Sequence, residues 1–178
     1  PVWDPLVRVF HWSLAATVGS ALISSDSRSV HEAAGYAAIG LILIRGAWGL
    51  IGPRHARFSN FVRSPGVVFA YLRDVVRFRA RRYVGHNPAG GAMIVLLMLT
   101  VMSAGISGWM SETDRFFGVS WVEDLHSYSA DLLMALIAFH LAGVAVASLQ
   151  HGENLVRAMV TGRKPATPAS ETDGHGAE

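Results

Sequence analysis

The stretch DLHSYSADLLMALIAFHLAGVAVASL, Asp124–Leu149, is apolar enough to cross a bilayer, yet it carries His126 and His140. An ionisable group in hydrocarbon is expensive and is normally kept for function. Fourteen residues of α-helix make roughly four turns, fall about 40° short of full register and rise about 21 Å. The two imidazoles therefore share a face but sit at opposite depths. They cannot hold one small ion together; each can serve a separate site in a helical bundle.

Three further runs reach the roughly 20-residue length of a membrane span: about Leu6–Ile23, Ala33–Ile51 and Ala89–Met110. The first is read as a retained helix, because His11, Trp12 and Ser13 interrupt it and no A-x-A cleavage pattern follows. Hydrophobic residues are 51% of the 178 and charged residues only 16%, against about a quarter in soluble domains. The expected fold is an all-α integral membrane four-helix bundle. It occupies residues 1–164, with a disordered tail over 165–178 that has too few apolar residues to fold.

Arginine sets the orientation. The segment Gly52–Asn87 carries Arg54, Arg57, Arg63, Arg73, Arg77, Arg79, Arg81 and Arg82 against the single acid Asp74. The connection SETDRFFGVSWVED, by contrast, has four acids and one Arg. The positive-inside rule then places both termini and the long loop on the cytoplasmic side of a bacterial inner membrane. Within that loop SPGVVFAYLRDVVRF starts with Ser-Pro and spaces Val68, Leu72, Val75 and Val76 as one helical face, predicting an amphipathic interfacial helix. The pI near 9.4 could suggest nucleic acid. Fourteen of the fifteen basic residues are Arg, mostly between apolar blocks, which is a membrane-loop pattern, and nucleic acid is not expected as a partner.

With this topology the histidines pair by depth. His11 stands level with His140 on the inner side, and His31 level with His126 on the outer side. Two imidazole pairs at two depths suit two b-type haems, each with one axial nitrogen above and one below the iron. The chain has no cysteine, which removes thiolate sites and c-type attachment. Gly35 and Gly143 lie on the faces of His31 and His140, where a missing side chain would admit a macrocycle; ordinary small-residue helix packing explains them equally well. Arg45, fourteen after His31, would meet a haem propionate at the inner level, or else snorkel to headgroups. His86, in GHNPAGG, is a candidate inner quinone or propionate contact, with a tight helix-cap loop as the alternative.

The pieces VWDPLVRVFHW, HEAAGY, RFSNFVRSP, YLRD, GHNPAGG, the His-x13-His of the last span and HGENLVRAMVTGRK follow in order over Val2–Lys164. Together they resemble the bacterial cytochrome b561 family and the cytochrome b subunits of nickel-iron hydrogenases. The resemblance implies a transmembrane conduit of the respiratory chain, passing electrons between the quinone pool and a c-type cytochrome or other redox subunit. It also implies His11, His31, His126 and His140 as haem-iron ligands. No catalytic residue is expected. Two alternatives remain: a superoxide:quinone oxidoreductase of the same fold, which would need a cationic, open outer approach where the outer loops offer only Arg28 and Arg115 among acids, and a metal-ion transporter.

Overall fold

The computed structural model describes residues 4–24, 26–53, 56–81, 83 and 87–163. The candidate contact His86 and the tail over 165–178 lie outside them. Among the described residues there are seven helices and no strand: α1 Pro5–Ile23, α2 Arg28–Ile51, α3 Phe58–Phe61, α4 Pro65–Val76, α5 Pro88–Ser111, α6 Ser120–His151 and α7 Leu155–Thr161. Four of these, α1, α2, α5 and α6, are long and apolar enough to cross a membrane.

Local chemistry sets the ends. Asp4 caps α1 by accepting from the amides of Leu6 (2.8 Å) and Val7 (3.3 Å), with Pro5 at the first helical position. Asn87 and Pro88 repeat the device on α5, where the Asn87 side chain accepts from Gly90 at 2.7 Å. α6 ends at Gly152, whose φ of 62° suits a residue without a Cβ. At its other end α6 starts at Ser120, ahead of the apolar run. Val122 there is fully buried, and Glu123 lies in the first turn, where the helix dipole favours a negative charge.

The helices pack unevenly. α5 has its broadest interface with α6, α1 packs along α2, and α2 packs on α5. α6 has no comparable interface with α1 or α2. An apolar cluster of Val18, Ala38, Ile42, Val101 and Leu133 fills the centre, with Leu14, Leu97, Met102 and Ile137 against it. Many large apolar side chains, Leu43, Leu99, Phe139 and Leu141 among them, point outward. A water-soluble bundle would not show such a surface; a bilayer covers it.

The loop helix forms as α4, with one face packed on the bundle and another pointing outward. Tyr71 is buried, with Val68 and Val75 half-buried beside it, while Leu72 and Val76 are exposed together with Phe69. Docking of α4 on α5 selects the Tyr71 face. The amide of Gln150 also donates to the Val75 carbonyl at 2.9 Å, tying the end of α6 to α4. Arg8 closes the same end of the bundle, donating to the Met159 and Val160 carbonyls at the end of α7.

Candidate haem site

The four histidines form two close, steeply inclined pairs, one toward each end of the bundle. His11 of α1 and His140 of α6 have ring centres 6.3 Å apart with planes tilted by 54°. His31 of α2 and His126 of α6 have ring centres 6.0 Å apart at 75°. Each pair spans a helix–helix gap that backbone packing leaves open, because α6 stands away from α1 and α2. Leu133 and Ile137, one helical face between His126 and His140, put apolar core between the two levels.

The His31/His126 pair is held from behind. His31 Nδ1 lies 2.9 Å from the Ala21 carbonyl, and His126 Nδ1 lies 2.8 Å from the Ala104 carbonyl. A carbonyl only accepts, so both rings carry their proton on Nδ1 and turn the Nε2 lone pair away from that bond. Ala21 sits in the last turn of α1, where carbonyls lack intrahelical donors. The tight connection from α1 to α2 brings His31 back onto it. Gly108 makes room on the other side: a Cβ there would stand 3.0 Å from His126 Cε1 and 3.1 Å from Nδ1.

The other end is built differently. His11 Nδ1 is buried with no acceptor, and the ring meets the Trp12 indole edge-on at 5.2 Å. Arg45 is only 2% exposed. Its Nη2 donates to the Ala56 carbonyl at 3.1 Å, its guanidinium carbon lies 4.8 Å from the centre of the Phe58 ring, and its Nη1 has no acceptor. Trp48 Nε1, nearly one turn on, is likewise buried without one. An added Cβ at Gly35 or Gly143 would meet no protein atom within 4 Å, so neither glycine is required by helix packing.

The model of the prokaryotic cytochrome b561 family matches residues 2–162. The chain belongs to that family. This b561-family chain is thus a membrane protein of a prokaryote with a haem b electron-transfer role. It is also 22% identical over 209 aligned positions to a protein of Rhizobium leguminosarum bv. viciae named "Probable Ni/Fe-hydrogenase B-type cytochrome subunit"; the match covers 92% of this chain and 87% of that one. No solved structure matches it.

The residues present fit a haem. A metal–imidazole bond is about 2.0–2.1 Å, so two imidazoles bound on opposite sides of one ion stand roughly 6 Å apart at their centres. The buried, unpartnered Nη1 of Arg45 suits an acidic substituent, and the open space at Gly35 and Gly143 suits a flat ring. Among the described residues no three His, Cys, Asp or Glu side chains cluster as a bare metal-ion site.

Sequence reasoning missed Gly108 and the carbonyls of Ala21 and Ala104. Ala104 and Gly108 form a small-xxx-small pair, the one signal that pointed to a close approach on that face of α5.

Proposed function

We propose that this cytochrome carries two b haems, one between His11 and His140 and one between His31 and His126. It passes electrons through them between the quinone pool and a redox protein partner. The observation that carries the reading is the His31/His126 pair, with ring centres 6.0 Å apart and each Nδ1–H spent on a backbone carbonyl. Metal-binding histidines typically donate their other nitrogen in this way, which fixes the tautomer and raises ligand basicity.

Haem supplies a reversible one-electron couple where no side chain of this chain could hold an electron. The protein's own part is positional. α6 presents His126 and His140 about 21 Å apart along one face, and α1 and α2 each supply one opposing imidazole. The apolar cluster between the levels excludes water. Arg45 offers Nη1 to a propionate, and Gly35 and Gly143 leave room for the macrocycle edge.

The arginine-rich end faces the cytoplasm under the positive-inside rule, so both termini lie inside. The outward stripe of Phe69, Leu72 and Val76 on α4 then rests on the inner interface. The partner is a c-type cytochrome or an oxidoreductase subunit, and the hydrogenase named for the Rhizobium relative is one such enzyme.

A superoxide oxidase reading finds less support. Arg28 is paired with both Glu32 and Glu112, and acids outnumber Arg28 and Arg115 in the connections at that end.

The test is reduction of the purified protein by a quinol, followed by reoxidation with a quinone. A haem α-band should appear and then vanish. A reduced-minus-oxidised spectrum without a haem band would contradict the reading.

A further inference from the structure

We propose that the face of α6 turned away from α5, centred on Asp131, docks a membrane-spanning helix of a partner subunit. A basic side chain midway along that helix pairs with the Asp131 carboxylate inside the bilayer. The inference rests on the reading of a redox partner and names the surface and the chemistry that would hold it.

Depth comes first. The Ser129 and Ser103 hydroxyls meet at 2.8 Å between α6 and α5. Ser103 lies eight residues before Ser111, where α5 ends, a rise of about 12 Å. Asp131 is two residues farther from that end along α6, which places it about 15 Å in. Hydrocarbon is about 30 Å thick. Leu133, two residues on, belongs to the apolar cluster at the centre of the bundle. Asp131 therefore stands near the middle of the bilayer.

Direction is the second observation. Ser129 and Leu133 are both buried against the bundle. Two residues of helix turn by about 200°, so Asp131 points away from both, and it is exposed. His126 and His140 are turned from it by about 140° and 180°, so Asp131 lies off the haem face. Among the described residues its carboxylate has no hydrogen-bond or ion-pair partner. Ionisable groups at this depth almost always face the bundle interior or pair with one another. Asp131 does neither within its own chain. An ionised carboxylate only accepts, and a basic side chain supplies both the donor and the opposite charge.

Shape agrees with charge. Ser127, Ala135, Ala138 and Ala142 fall within about 40° of Asp131 around α6, and all four are exposed. Small residues at such spacing let a second backbone come close in a membrane. Tyr128 and Phe139, both strongly exposed, wall one side of the stripe.

A second copy of the chain fits this face poorly. A two-fold axis along it would set Asp131 against Asp131. The four spans also offer no outward cation at that depth. Their basic side chains are Arg8 and Arg28 near helix starts, and Arg45, which is buried. The complementary charge has to come from another polypeptide.

The test places the purified chain in phosphatidylcholine vesicles with a synthetic Leu/Ala membrane-spanning peptide bearing one central Arg. The chain has no cysteine, so Asp114→Cys on the α5–α6 connection takes a single dye. Energy transfer from a labelled peptide then reports association without relying on haem. The parent should bind the Arg peptide at least about tenfold more tightly than the same peptide with a central Leu. Asp131→Asn should lose that preference while its haem content and reduced spectrum match the parent's. Equal binding of the two peptides, or an undiminished preference in Asp131→Asn, overturns the proposal. Loss of haem from Asp131→Asn also overturns it, because the carboxylate would then belong to the bundle's own framework. Ala138→Leu keeps the acid but fills the stripe, and should weaken Arg-peptide binding; binding as tight as the parent's would remove the docking face. Energy transfer between parent chains that Asp131→Asn abolishes would assign the face to a second copy instead. A parent chain without haem would contradict the haem reading and leave the peptide result standing.

Discussion

His126 and Gly108 fit each other across the α5–α6 interface: the imidazole donates to the Ala104 carbonyl at 2.8 Å, and a single methyl on Gly108 would come within 3.0 Å of the ring. The small residue on α5 thus sets where a histidine on α6 can stand. Substitution Gly108→Val should push the ring off its carbonyl and reduce haem occupancy at the His31/His126 site. The His11/His140 site should keep its haem, because nothing at that end touches Gly108. Haem content and the split of the reduced α-band check this.

Gly35 and Gly143 make the opposite case. No protein atom lies within 4 Å of a Cβ at either position. Alanine in a helix interior gains about 1 kcal/mol over glycine, so Gly35→Ala and Gly143→Ala should not destabilise the haem-free protein. Larger substitutions, Gly35→Leu and Gly143→Leu, should lower haem binding while helix content by circular dichroism stays constant. Full haem retention in both would assign these positions to lipid or to partner packing instead.

Arg45 depends on a neighbour in turn. A Cβ on Gly49 would stand 2.0 Å from the Phe58 ring, the ring that lies beside the Arg45 guanidinium. Gly49→Ala should therefore cost about 1–3 kcal/mol through overpacking and release Arg45 from its shelf. Thermal unfolding should register the first effect, and a lowered potential of one haem component the second.

Much of this was legible in the amino-acid order. Apolar runs longer than a soluble helix needs identified the four spans, and helical arithmetic on His11, His31, His126 and His140 gave the residues that now face one another. The inward face of α4 was not legible: periodicity assigned Leu72 and Val76, both exposed, to an interfacial face, but nothing in it singled out Tyr71 as the residue buried where α4 meets α5. Nor was the setting of Arg45. Its contacts, Ala56 and Phe58, lie in a chain return beneath α2 that no repeat in the sequence encodes. Gly108 escaped for a similar reason: which small residue of α5 meets His126 depends on the rotation of two helices against each other.

Outside the spans, burial and then the adjacent Tyr83 push the Tyr71 hydroxyl above its usual range. The folded state then keeps a proton that the unfolded state has lost above pH about 10. Stability should be full below pH about 10 and fall as pH rises from there through the folded-state value. Melting temperatures between about pH 9 and pH 11 should decline less for Tyr71→Phe than for the parent protein; parallel declines would place the alkaline sensitivity elsewhere.

The central claim is that α6 gives one ligand to each of two haems, and the haem-to-chain ratio tests it most directly. Pyridine haemochrome assay of the purified protein, His126→Ala and His140→Ala should give two, one and one haem b per chain. Two haems retained in either variant, or one haem in the parent, would contradict it.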